Sequence, residues 1–224
     1  MADDAGEAGP GRATAATPVK GRKASKAARR AQLIEATIDS LAKRGYAETT
    51  MADVADGAGL SRGIVNFHFE SKENLLIATL QHLADEYVGH WEAAVTKAGP
   101  RAADRLWAVV AADFDRRVCT RRKIAAWCAF WGEAKSRPTY QALCGARDDK
   151  YQQVVQGILA ELKAEAGYGY APEAMALSLC AMLEGLWVRL MMGGTRREAA
   201  WAAAVDDLVA TFPKHFGYEG PLAG

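Results

Sequence analysis

Residues 49–75, TTMADVADGAGLSRGIVNFHFESKENL, gather hydrogen-bonding side chains and glycines in a pattern that could read another molecule. Arg62, Gly63 and Asn66 fall on the outer side of a segment, Arg62 to Phe67, that is too short to stand alone as a helix. Before it, Thr50 suits an N-cap, because its hydroxyl can accept a backbone N–H that the first helical turn leaves unpaired. Met51, Val54, Ala55 and Ala58 then recur at helical spacing, Gly59 supplies a turn, Leu60 a hinge contact and Ser61 the next cap. Two short helices joined this way form a helix-turn-helix, whose second helix enters the DNA major groove. An ordinary helical hairpin shares the pattern, and the residues downstream weigh against it.

A second group is aromatic. In KIAAWCAFWGEAKSRPTY, Trp127, Phe130 and Trp131 fall at i, i+3 and i+4 and share a helix face. In MLEGLWVRLMMGG, Glu184 and Trp187 lie three apart and share another, and Trp107, Phe114, Tyr140 and Tyr151 could join from neighbouring helices. Rings at such spacing either fill a core or line a ligand pocket. Catalysis is not expected: Asp113, Asp115, Glu133 and the four histidines are scattered, with no nucleophile–base pair, carboxylate pair or phosphate loop. Cys119, Cys128, Cys144 and Cys180 show no metal-ligand spacing, so reduced core thiols are expected, with no metal and no cofactor.

The elements that must position these residues are helical throughout. The chain has 224 residues, half of them apolar, and a net charge of +1, so any nucleic-acid contact must come from a local patch. Such a patch exists: Lys20, Arg22, Lys23, Lys26, Arg29 and Arg30 occur with no acid among them. Residues 1–26 read as a disordered basic arm, which could also order on phosphates. In ARRAQLIEATIDSLAKRGY, Leu33, Ile34, Thr37, Ile38 and Leu41 share a face and Gly45 closes the helix. Ser71 caps a long helix over about 72–97 with Leu75, Leu76, Leu80, Leu83 and Tyr87 as its buried stripe. Beyond Ala98-Gly99-Pro100, helices are expected at about 101–118, 121–136, 138–165, 172–192 and 196–212. The fold class predicted is all-α: an N-terminal three-helix DNA-binding domain over 27–75, a helical bundle over 76–215 and a flexible tail over 216–224. No signal peptide and no run apolar enough to span a bilayer is evident, so a cytoplasmic protein without a membrane partner is expected.

With these elements in order, residues 28–76 resemble the TetR family of bacterial transcription regulators. The resemblance rests on Thr50, the DVADGAGLS run, Gly63, Phe69, Lys72 and Leu75. It implies a homodimer that binds double-stranded DNA at a pseudo-palindromic operator, with a C-terminal bundle that binds a small effector. It also implies DNA contacts from Thr50, Ser61, Arg62, Gly63, Asn66, Phe67, His68 and Lys72. Gly63 would allow close approach, Arg62 a bidentate pair with guanine, and Lys72, at a helix N-terminus, a phosphate. Phe69 more naturally packs inward. Asn66 and His68 depart from the pattern, since many members carry an aromatic at the first and Tyr at the second. Asn can read adenine, so the operator could differ from those of relatives.

The A-W-x-A-F-W and G-L-W-x-R segments, with Phe114-Asp115 and Gly63-Ile64, are similar to the choline-responsive repressors of that family. That likeness implies a small cationic effector, choline or another quaternary amine, and control of choline-to-glycine-betaine metabolism or transport. A quaternary ammonium has no N–H to donate, so aromatic faces and a carboxylate must hold it; one desolvated Trp contact gains about 2 kcal/mol. Trp127, Trp131 and Trp187 are the rings expected to do so, with Glu184 or Asp115 as counter-charge. Glu184 could equally pair with Arg189 or sit at a dimer face. A regulator of a hydrophobic drug or metabolite, or a helical protein-interaction module, is the alternative. Leu179, Met182, Leu183, Leu186 and Leu190, with Trp201, Val205, Leu208 and Val209, exceed one inward face and suit a four-helix dimer interface.

Overall fold

The helix-turn-helix begins on a reciprocal cap. Thr50 Oγ1 accepts the Asp53 backbone N–H at 3.2 Å, and the Asp53 carboxylate accepts the Thr50 N–H at 3.0 Å. Two N–H groups that the helix start leaves orphaned are thereby satisfied. This computed structural model of the chain describes residues 20–216, with side chains from residue 25. The head comprises α1 (Lys20–Glu48), α2 (Met51–Gly57), α3 (Arg62–Phe69) and the start of α4 (Lys72–Lys97). The bundle adds α5 (Ala102–Asp113), α6 (Arg121–Ala134), α7 (Pro138–Ala166), α8 (Pro172–Met191) and α9 (Arg197–Thr211). No strand occurs among the described residues, as an all-α reading requires.

The apolar stripe predicted for the first helix is the head's core: Leu33, Ile34, Ile38 and Leu41 are buried against Val54, Ala55, Val65 and Phe69. Gly45 ends the regular part of α1 at φ 79°, a conformation that favours glycine. Gly59, at φ 63°, makes the turn between α2 and α3. A sharper corner follows α3, where Glu70 takes φ 62° without a glycine's freedom.

α4 belongs to both units. Leu75, Leu76 and Leu80 close the head, whereas Leu83, Tyr87 and Trp91 are buried further along. The helix packs on α1 and α3 at one end and on α5, α6 and α7 at the other. A second joint is broader still, because α6 lies along α1. There Arg122 donates to Asp39 at 3.0 Å and pairs with Glu35; just before α7, Arg137 reaches Glu73 at the start of α4 at 3.1 Å.

Several boundaries differ from the sequence reading. Residues 20–26, assigned there to a disordered arm, are the first turns of α1, since lysine, arginine and alanine favour helix once a start exists. Residues 1–19 and 217–224 lie outside the described part, whereas Phe216, placed in the tail, packs on Trp107 and Phe212. α5 stops at Asp113 rather than 118. The Asp115 carboxylate accepts the Arg117 N–H at 2.8 Å, a local bond that favours a turn over helix. The Ser61 hydroxyl caps nothing; its carbonyl carries the start of α3, accepting Ile64 N–H at 3.0 Å.

α8 is long and apolar enough to cross a membrane by length and composition alone, contrary to the expectation that no segment is. Its inner face, Ala176, Leu179, Leu183, Trp187 and Leu190, is buried in the bundle; its outer face exposes Leu177 and Val188 among Glu173, Ser178, Glu184 and Arg189, and Met192 is exposed just past its end.

Candidate functional site

α3 presents Arg62, Gly63, Asn66 and Phe67 to solvent while Val65 and Phe69 anchor it to the head. Phe67 is 70 % exposed, unusual for a ring that size, and the amine of Lys26 lies 5.2 Å from its centroid. Arg30 stacks at 5.2 Å over Phe69, so the basic start of α1 flanks the reading helix. A Cβ at Gly63 would meet only Ser61 Oγ at 3.7 Å, an ordinary contact. Packing within the chain therefore does not require a glycine there.

Two of the expected contact residues are tied inward. Lys72 Nζ donates to the carbonyls of Tyr46 at 3.4 Å and Ala47 at 3.3 Å, fastening the end of α1 to the start of α4. His68 is half-buried edge-on to Phe67, and burial together with Lys26 and Arg30 holds its pKa below the ordinary histidine range. Thr50 is exposed but committed to its capping box.

Within the bundle, α4, α5, α6, α7 and α8 converge on one cavity. Tyr87, Trp131, Tyr151 and Trp187 supply rings, and Asp113, Asp148 and Glu184 supply three carboxylates against one guanidinium, Arg147. Asp113 is fully buried and accepts Tyr87 Oη at 2.6 Å and Tyr151 Oη at 2.9 Å. Its backbone carbonyl accepts Trp187 Nε1 at 3.0 Å, which fixes α8 to the end of α5. Burial pushes the Asp113 carboxyl up to about 7, against the opposing pull of the two tyrosine hydroxyls and Arg147. The same burial raises both phenols, and it raises Glu184, where Asp148 adds to it. Arg147 is itself buried. Its guanidinium pairs with Asp148 and stands 4.3 Å from the Trp127 centroid, 5.3 Å from Tyr87 and 5.7 Å from Trp131. The open volume that remains is about 50 Å³.

Of the residues expected to bind an effector, Trp131, Glu184 and Trp187 line this cavity, and Trp127 forms the floor under Arg147. Tyr151, named as one that could join them, does so. The others do not. Trp107 and Phe114 pack on Trp201 at 5.1 and 5.7 Å, where the bundle closes over α9. Phe130 and Tyr140 face the head instead, around Tyr46, because that side of α6 abuts α1 and the Tyr140 hydroxyl bonds that of Tyr46. Asp115 is not among the lining residues; Arg117 binds its carboxylate in the turn and lowers it to about 2.

Sequence reasoning missed Tyr87 as a lining residue, having read it as the end of the α4 stripe, and missed Asp113, Arg147 and Asp148. A signal was present: Asp113 ends the apolar run AVVAAD, and Arg147 sits among Tyr140, Cys144, Tyr151 and Val155 on the buried face of α7. Charged residues are uncommon at core positions, and that is the signal spacing alone offers for a candidate site.

Comparison with known proteins agrees with both halves. Residues 33–79 match the family described as bacterial regulatory proteins, tetR family, and residues 102–213 match the BetI-type transcriptional repressor, C-terminal. The chain is 36% identical over 171 residues to the HTH-type transcriptional regulator BetI of Paraburkholderia phymatum, covering 74% of this chain and 83% of that one. The Burkholderia thailandensis BetI matches to the same extent, 36% over 171 residues. Among solved structures, a transcriptional regulator from Pseudomonas aeruginosa PAO1 superposes with a TM-score of 0.70 at 27% identity, over 85% of this chain and 94% of that one. A regulator from Saccharomonospora viridis in complex with choline shares the fold, with a TM-score of 0.72 at 20% identity over 82% and 96% of the two chains. The chain thus belongs to the TetR family of bacterial regulatory proteins, and is a transcriptional repressor, not an enzyme, with a C-terminal domain of the BetI type.

Proposed function

We propose that the chain acts as a homodimeric repressor of a pseudo-palindromic operator, and that choline or a similar small quaternary amine lowers its affinity for that operator. The observation that carries the effector class is the cavity itself: aromatic faces from four helices surround a space where carboxylates outnumber cations three to one. Rings and excess negative charge suit a cation without N–H donors, and disfavour a purely hydrophobic ligand. The names of the BetI relatives and the choline complex of a protein with this fold support the same direction. Control of choline-to-glycine-betaine metabolism or transport is the corresponding role.

The DNA side rests on α3, with Arg62, Gly63, Asn66 and Phe67 offered outward and Ser61 exposed beside them. Thr50 caps α2, His68 belongs to α3 and Lys72 fastens α1 to α4, and all three lie close enough to the surface to meet the phosphate backbone. A second copy covering the outer face of α8 would set two reading helices on half-sites about 34 Å apart.

Effector binding changes operator affinity only by favouring one arrangement of the two heads over another. α4 and α6 supply the route, since each lines the cage and packs on the head. Calorimetry with choline and with ethanolamine tests the reading. Saturable binding of choline, and much weaker binding of the primary amine, is expected; no heat with any quaternary ammonium contradicts it.

A further inference from the structure

The aromatic cage already holds a cation, and that cation belongs to the chain. Arg147 is 7% exposed, with its guanidinium centred 4.3 Å from the Trp127 ring and within 6 Å of Tyr87 and Trp131. These are the distances at which a bound ammonium gains from ring faces. Asp148 supplies the counter-ion, as it would for an external cation. The remaining space, about 50 Å³, holds a water or two, far below the several hundred Å³ of ordinary ligand sites.

We propose that Arg147 is a built-in competitor of the effector: its guanidinium fills the cation cage, and a quaternary amine binds only by displacing it. Two cations cannot share the Trp127 face, and the cage without Arg147 carries carboxylates alone. Binding is therefore an exchange of one cation for another. Affinity is set by how much better the effector satisfies the rings than the tethered guanidinium does, so weakly desolvating ammonium ions are screened out. The exchange also breaks a link, because Arg147 on α7 clamps α6 through Trp127 and α4 through Tyr87, and these helices carry the head. The inference rests on the cage being a cation site, and not on choline being its ligand.

The test uses the full chain and its R147A variant, with methylguanidinium chloride as the probe and sodium chloride at equal ionic strength as the control. Removing the side chain opens the cage, so methylguanidinium should quench tryptophan emission of R147A saturably, at concentrations at least about tenfold below any effect on wild type. R147Q, which keeps a polar side chain but no charge, serves if R147A does not fold, and tetramethylammonium should bind it at least about tenfold more tightly than wild type. Equal responses of variant and wild type would overturn the proposal, because the guanidinium then excludes nothing. So would weaker binding of quaternary ammonium to the variants, which would make Arg147 part of the receptor. A wild type blind to every quaternary amine, beside an R147A that takes up methylguanidinium, refutes the choline reading and leaves the competitor standing.

Discussion

Tyr46 and Tyr140 share a hydrogen bond of 2.9 Å between their hydroxyls, one at the end of the head's first helix and the other in the first turn of α7. Their rings meet edge-on at 6.0 Å, and Arg137 stacks against both. The pair is thus a joint between the DNA-reading head and the bundle, and burial together with the Tyr46 bond raises the Tyr140 phenol well above its ordinary range.

Replacing Tyr140 with Phe keeps the ring packing and removes the bond. A single neutral hydrogen bond contributes about 1 kcal/mol, so Y140F should stay folded. Its operator affinity without effector should lie within about threefold of wild type, while the shift produced by choline shrinks several-fold. Fluorescence anisotropy on a labelled operator, with and without choline, measures both. An undiminished choline response would show that the joint carries no coupling.

At the DNA face, Arg62→Ala should cost about 1–3 kcal/mol of operator binding and relax preference at one base position. Lys72→Ala should weaken binding to all sequences alike, with a salt slope smaller by about one. Because Lys72 also fastens α1 to α4, this variant should melt earlier as well. Binding of both variants indistinguishable from wild type, read by a salt series on cognate and scrambled DNA, would remove the contact assignment.

The cavity sets a pH dependence through Asp113, whose carboxyl titrates at about 7 instead of its ordinary 3.8. The groups facing it are Tyr87 on α4, Arg147, Asp148 and Tyr151 on α7, and Cys180 and Glu184 on α8. As pH rises from 6 to 8 the buried carboxyl loses its proton and the cage gains negative charge, which holds Arg147 and an incoming choline alike, so choline affinity should change by less than about threefold. Stability does move. The raised carboxyl favours the fold fully below about pH 4, and that contribution fades as pH rises to about 7. D113N should flatten that trend in urea midpoints across pH 5–8, and a slope that survives the substitution would place the titration elsewhere.

Trp131 and Trp107 separate pocket from core. Trp131→Ala removes a cage wall and should weaken choline by about tenfold or more with a small change in melting temperature. Trp107→Ala leaves a gap beside Trp201 and Phe216, so it should cost about 3 kcal/mol of stability and leave choline affinity near wild type. Reversal of that pattern would contradict the placement of the cavity.

The reading head was legible because its signals are local. The Thr50 cap, the Gly59 turn and the Ser71 cap each act within four residues, so spacing alone positioned α2, α3 and α4. The pocket is assembled from five helices, and periodicity assigns a face to each without saying which faces meet. Phe130 and Trp131 are neighbours in the chain, yet one turns to Tyr46 and the other to the cavity. Asp115 looked like a counter-charge and is bound in a turn, whereas Asp113, two residues earlier, is the buried acid.

Selection of bound fragments from a random DNA library, with and without choline, tests the central claim most directly. A dimeric, quaternary-amine-responsive repressor predicts one enriched pseudo-palindrome, with half-sites about a helical turn apart, whose recovery falls steeply when choline is present. Enrichment of no symmetric site, or recovery of the same site undiminished by choline, would contradict it.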